Sequence, residues 1–370
     1  MESFVFAANS VLPLVALIFV GQLLKKIGFF NDNFLSIGNK LVFKVLLPAL
    51  LFYNVYNIDN ISQINWAFVL YGACFIVVIF AIAMVVTPIF VKDKGQCGVI
   101  IQALFRSNFA LIGVPLALAL FGQQGAAEAS VLSAFTIPVF NVLAVLTLSI
   151  YHKEMPNVGE KTTTSPLKKV IVGIVTNPLI LSVVAGLVVL LIRALFVELG
   201  WSFRLASFKL FGQEVTFVYK ALQYVANTAT PISLIVLGGR FKVSAVKRLW
   251  KPIVITTVLR CAVIPAVGLL LAYLLIPSLQ GQHFAAYIAL FGTPTAVSSA
   301  IMAKEMGGDG EHADQLVVWT PVVSAFTISL DGGVVLIAVV FCFIIGVVFG
   351  LYPANKAAKM KPIDALHYGG

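Results

Sequence analysis

Two polar interruptions in apolar sequence carry the residues with chemistry to offer. The first holds Arg106 and Asn108, ahead of Gly113 and Pro115 in FRSNFALIGVPLALALFG. The second surrounds Gly292 and Pro294 in YIALFGTPTAVSSAIMAKEM, with Thr293, Thr295, Ser298 and Ser299 beside them. A proline inside a helix lacks the N–H that the ladder needs, and its ring clashes with the preceding turn, so both stretches are expected to break. Proline also suits the first turn of a helix, so Pro115 and Pro294 can each begin a half-helix. The free N–H groups and positive dipole end at such a start attract an anion. Asn108 lies seven residues before Pro115, and on an unbroken helix its amide would share that face and donate to the same anion. The mirror position before Pro294 is Tyr287, which makes the two half-sites chemically unequal. Arg106 is placed to draw an anion in, and Asn141 is a further polar contact in an apolar run. The chemistry is reversible capture of an anion by dipoles and neutral donors.

Each residue also has a plainer role open to it. Asn108 and Asn141 can bond neighbouring helices, and the hydroxyls can bond back to their own helix. Lys44 and Arg260 lie two or three turns from a membrane face, within snorkelling reach. No catalytic constellation competes. His152, His283, His312 and His367 are scattered, and the four cysteines, Cys74, Cys97, Cys261 and Cys342, lack metal-ligand spacing. Neither an enzyme nor a bound cofactor is expected, and no Asp or Glu falls inside the apolar spans to relay protons or hold sodium.

The elements that position these residues follow from composition. Of 370 residues, 60% are hydrophobic and 11% charged, with a mean hydropathy of +1.01. Soluble domains carry about 25% charged residues, so the expected fold class is an all-α membrane protein in a cytoplasmic membrane. The net charge of +10 is read as basic loops on one side of the bilayer, not as a sign of nucleic acid. At about 20 apolar residues per crossing, the chain predicts ten transmembrane helices, the fourth and ninth being the broken ones.

Landmarks recur along the chain. Pro48 and Pro231 are 183 positions apart, Pro115 and Pro294 are 179 apart, and Pro138 and Pro321 are 183 apart. The reading is two inverted five-helix repeats, residues 1–151 and 169–330, joined by a linker loop at 152–168. An odd number of spans per repeat inverts the second relative to the first. Paired broken spans in corresponding halves point to a transporter site near the midplane. Basic residues crowd the loops after odd-numbered spans, from Lys25 and Lys26 to Arg240, Lys242, Lys247, Arg248 and Lys251, whereas loops after even-numbered spans hold plainly only Arg204 and Lys209. The odd loops are therefore expected inside and the N-terminus outside.

Several segments resemble the auxin efflux carrier family, the bacterial relatives of the plant PIN carriers, often described as malate or malonate permeases. They are LPLVALIFVGQLLKKIGFF, KLVFKVLLPALLFYNV, SNFALIGVPLALALFG, TPISLIVLGGRF and GTPTAVSSAIMAKEMGGD, between about residues 8 and 328. The resemblance implies a scaffold of spans 1, 2, 6 and 7 and a transport unit of spans 3–5 and 8–10. It also implies elevator-like movement in a homodimer, with a proton or sodium as possible coupling ion. Residues 331–370 depart from it. FCFIIGVVFGLYPANKAAKMKPIDALHYGG is similar to the end of an ABC-type permease of the lipoprotein-release or macrolide-export kind, and predicts one extra C-terminal helix with a basic tail. The sequence thus points to a carrier of small organic anions, with the membrane subunit of an ATP-driven complex and a non-transporting receptor as alternatives.

Overall fold

The computed structural model describes residues 2–57, 65–152, 172, 175–198, 208–210, 213–276 and 281–328. The linker beyond His152 and the extra C-terminal helix lie outside those residues. The described chain is almost wholly helical. It runs α1 (Glu2–Lys26), α2 (Asp32–Tyr56), α3 (Trp66–Phe90), α4 (Lys94–Phe105), α5 (Val114–Ile150), α6 (Pro178–Glu198), α7 (Phe217–Arg240), α8 (Ser244–Leu275), α9 (Gly281–Gly292), α10 (Ser298–Glu305) and α11 (Gly310–Ile328). Strands β1 (Phe208–Leu210) and β2 (Gln213–Val215) form one short antiparallel pair. Five of the helices, α2, α3, α7, α8 and the stretch Leu111–Ile150, are long and apolar enough to cross a membrane.

Polar residues set the helix starts. Asn31, Asn65 and Asp93 each accept a hydrogen bond from the backbone N–H three residues on, at 2.7, 3.2 and 2.9 Å. This satisfies donors that a helix N-terminus otherwise leaves free. Prolines shape the interiors. Wide, π-helical turns occupy Val42–Leu46, Phe109–Gly113 and Leu259–Val263, each ending two residues before Pro48, Pro115 or Pro265. An extra residue in the turn relieves the clash between the proline ring and the carbonyl four residues earlier. Between the spans merged in α5, Gly122 adopts φ +60° and ψ −153°, a conformation essentially reserved for glycine, and the chain bends there.

Two groups of helices pack together. In one, α1 lies along α7, and α2 lies on α6 and α7. The α1–α7 approach is backbone to backbone: a methyl group on Gly21 would overlap the carbonyl of Ile235, and one on Gly238 would overlap that of Ile18. Small residues are what allow helices to come this close in lipid, where packing replaces the hydrophobic drive. In the other group, α3, α4 and α5 pack with α8 to α11, around an aromatic cluster of Phe68, Tyr71, Phe75, Tyr287 and Phe291.

Contacts among the turns gather them at one end of the molecule. Asp309 N–H donates to Gly95 O at 3.1 Å, and the His152 ring meets Met306 O at 2.9 Å. Arg240 at the end of α7 pairs with Asp314 of α11 at 2.9 Å. Asn39 of α2 donates to Glu305 at the end of α10 at 2.7 Å. Lys242 and Arg248 both reach Glu311, at 2.6 and 2.7 Å, and hold its carboxyl below its ordinary range, the Lys242 hydrogen bond first.

Candidate functional site

The site is built where two interrupted helices cross. After α4, residues Arg106–Asn108 leave the helix before the wide turn begins. After α9, residues Thr293–Val297 do the same before α10. Ser107 and Thr295 pair as a two-residue antiparallel bridge, and Asn108 N–H donates to Pro294 O at 2.7 Å.

Unpaired backbone polar groups cost several kcal/mol each in hydrocarbon, and here protein groups satisfy them. Gly292 O accepts from Ser324 Oγ at 2.9 Å. Thr295 N–H donates to Thr320 Oγ1 at 3.1 Å, and Thr295 Oγ1 donates to Ala103 O at 3.4 Å. Arg260 of α8 donates to Thr293 O at 2.8 Å and to Leu104 O at 3.4 Å. This is not a snorkelling arginine, as the sequence suggested. It is 1% exposed; its two terminal nitrogens reach the ends of both interrupted helices, while its Nε is buried with no hydrogen-bond partner among the described residues. Lys44, by contrast, is exposed on the surface of its wide turn.

Beside the crossing lies a cavity of about 80 Å³. Its polar lining includes Arg106, Ser107, Asn108, Asn141 and Ser298, with Asn54 from α2 and Thr230 and Ser233 from α7. The rest is apolar, chiefly Leu47, Leu50, Leu51, Phe109, Ile137, Phe140 and Leu179. The lining therefore comes from both helix groups. Arg106 is 4% exposed. It donates to Asn141 Oδ1 at 2.7 Å and Ser298 Oγ at 2.8 Å, and also reaches the Met302 sulfur. Among the described residues no carboxylate pairs with it. Asn141 itself is oriented by donating to Ile137 O at 2.8 Å. Next to Arg106, the Ser107 hydroxyl and the Asn108 Nδ2 are buried with no hydrogen-bond partner among the described residues. A buried cation and two unspent polar groups around one small space are suited to an anion that brings its own acceptors.

Four of the residues expected from sequence meet at this cavity: Arg106, Asn108, Asn141 and Ser298. The others serve the frame. Pro294 sits in the extended crossing instead of starting a half-helix, because α10 begins only at Ser298. Pro115 follows the wide turn, so the chain opens at Arg106–Asn108 and not at the proline. Gly113 gives room for the Phe109 ring. Tyr287 is fully buried in the aromatic cluster and donates to Phe68 O at 2.7 Å. Gly292, Thr293 and Thr295 close the backbone of the crossing. Sequence reasoning missed Ser107, Asn54, Thr230 and Ser233. The signal was there for three of them: Thr230 and Ser233 are one helical turn apart around Pro231, and Asn54 is two turns from Leu47 on one face.

The profile of the family described as membrane transport protein matches residues 6–330. The chain belongs to this family, that of the auxin efflux carriers. It is 21% identical over 332 residues to an uncharacterized transporter of Methanothermobacter thermautotrophicus, covering 88% of this chain and 98% of the relative. A second uncharacterized transporter, of Methanocaldococcus jannaschii, is 22% identical with the same coverage. Two further matches are short: 48% over 50 residues to a macrolide export ATP-binding/permease protein of Bdellovibrio bacteriovorus, and 63% over 30 residues to an ABC transporter permease of Bacillus subtilis. They cover 14% and 8% of this chain, and 7% and 8% of the relatives.

Proposed function

We propose that this membrane transporter is a secondary active carrier of small organic anions, mono- or dicarboxylates, held beside the crossing of two broken helices. One observation carries the reading. Arg106 is buried at a cavity without a carboxylate partner among the described residues, next to the unspent Ser107 hydroxyl and Asn108 amide. An isolated buried cation is costly, and an incoming carboxylate would supply both its counter-charge and the acceptor the Asn108 amide lacks. Ser298 and Asn141 hold the guanidinium in place meanwhile. Release stays possible because, among the described residues, the remaining walls offer no second cation.

The wider frame supports the same reading. Ten spans in two inverted repeats would cross their broken members as α4–α5 and α9–α10 do. The gathering of basic turns at one end fits a cytoplasmic face and an outward N-terminus. A cavity lined from both helix groups suits an elevator in which the group of α3–α5 and α8–α11 moves past that of α1, α2, α6 and α7, in a homodimer. The short permease matches favour a second reading, membrane partner of an ATPase. The test is uptake of radiolabelled malate, malonate and indole-3-acetate into proteoliposomes, with and without a proton or sodium gradient. Flux without ATP that falls at sub-saturating substrate in Asn108→Ala supports the carrier. Flux that requires an added ATPase favours the second reading, and ligand binding without flux a receptor.

A further inference from the structure

The crossing has two chemically different sides. Towards the cavity, donors stand unspent. Away from it, α4 and α9 end, and two helix C-termini bring their partial negative charges together. In sodium-coupled carriers, the carbonyls at such half-helix ends coordinate the ion. In this chain the position is filled by a side chain. Arg260 does not line the cavity. Its Nη2 donates to Thr293 O at 2.8 Å and its Nη1 lies 3.4 Å from Leu104 O, one carbonyl from each interrupted helix. It is fully buried, and among the described residues no carboxylate pairs with it and its Nε has no hydrogen-bond partner, so the two carbonyls are the acceptors it has. The wide turn Leu259–Val263, imposed by Pro265, is the segment that carries it. Burying an unpaired guanidinium costs several kcal/mol. The cost is offset only if something nearby is negative, and the two helix ends are what it touches.

We propose that Arg260 is the built-in counter-ion of the crossing: it occupies the place a sodium ion takes between broken helices, so that anion capture at Arg106 needs no sodium. The second half of this statement rests on the carrier reading. The first half does not.

The experiment uses the purified full-length chain. Thermal unfolding without substrate is followed in sodium chloride and in choline chloride, for the wild type, Arg260→Ala, Arg260→Lys and Arg260→Gln. The wild type is expected to melt at the same temperature in both salts. Arg260→Ala is expected to melt lower, and to recover in sodium or millimolar methylguanidinium but not in choline. Such rescue is a readout that mere loss of packing would not give. If Arg260→Ala does not fold, the charge-keeping Arg260→Lys should outlast Arg260→Gln. Selective stabilisation of the wild type by sodium, or Arg260→Gln matching the wild type, overturns the proposal. Uptake forms the last arm: equal rates in sodium and choline are expected, and a sodium dependence of about tenfold or more, equivalent to about 1.4 kcal/mol, overturns the sodium-free half. Absence of flux in both salts with the melting pattern intact would count against the carrier reading and leave the counter-ion standing.

Discussion

Replacing Arg106 by glutamine should move stability and affinity in opposite directions. Arg106 is nearly fully buried and spends its donors on Asn141 Oδ1, Ser298 Oγ and the Met302 sulfur. None of these is charged. Without substrate, the change removes a guanidinium whose burial costs several kcal/mol, while the glutamine amide keeps one neutral donor at the site. The melting temperature should therefore hold or rise. With a carboxylate bound, the same change removes a buried charge pair. Truncating one partner of such a pair costs about 2–5 kcal/mol, and each 1.4 kcal/mol or so is tenfold. Affinity should fall by about 30-fold to several thousand-fold. Arg106→Lys keeps the charge but loses the fork and should fall between. The assay pairs substrate-free thermal unfolding with binding of malate, malonate and indole-3-acetate to purified protein, beside proteoliposome uptake. A variant that melts well below the wild type and binds equally well would make Arg106 a clamp of the fold and refute the reasoning.

Other outcomes follow from the same geometry. Asn108→Leu removes an Nδ2 with no hydrogen-bond partner among the described residues, so stability should be kept while binding weakens about fivefold, the worth of one hydrogen bond near 1 kcal/mol. Asp314→Ala leaves the Arg240 cation facing no carboxylate in a largely buried place, and breaking a pair of this kind costs about 3–5 kcal/mol; the double variant Arg240→Met with Asp314→Leu should melt above the single one. Glu311 is held below its ordinary range by Lys242 and Arg248, so its contribution is present above the unfolded carboxylate pKa and lost as pH falls through the folded one. Glu311→Gln should then destabilise at neutral pH and match the wild type in acid, by thermal unfolding across pH. Gly238→Val drives side-chain atoms into the Ile18 carbonyl, and overpacking of this sort costs about 1–3 kcal/mol, read as a lower melting temperature. Truncation after Leu330, where the family match ends, should leave uptake unchanged.

Apolar length, prolines and the spacing of polar residues made the membrane class and the two interruptions legible. Their exact position was not. A proline acts on the carbonyl four residues before it, and the chain can answer either with a wide turn or by opening altogether. Pro115 is met by the wide turn Phe109–Gly113, which pushes the opening back to Arg106–Asn108. Pro294 is met by an extended segment, and its own carbonyl accepts from Asn108. Two prolines at matching positions thus produce unlike local structures, and periodicity alone does not choose between them. Arg260 was misread for a related reason. Depth along a span places it within snorkelling reach, but only the fold brings Leu104 O and Thr293 O to its guanidinium.

The two arginines divide the work of the crossing by what they face. Arg260 meets backbone carbonyls, acceptors that never leave, so its pairing is permanent and holds the interrupted helices together. Arg106 meets an amide oxygen, a hydroxyl and a sulfur, each weaker as a partner than a carboxylate, so a better partner can displace part of that set. A carrier needs this asymmetry. Were both cations satisfied by carboxylates of the chain, the cavity would have no charge to offer a substrate. Were both unsatisfied, the crossing would carry two uncompensated buried charges, each costing several kcal/mol. On the proposed carrier reading, one fixed and one exchangeable partner set would let the frame stay rigid while an anion comes and goes.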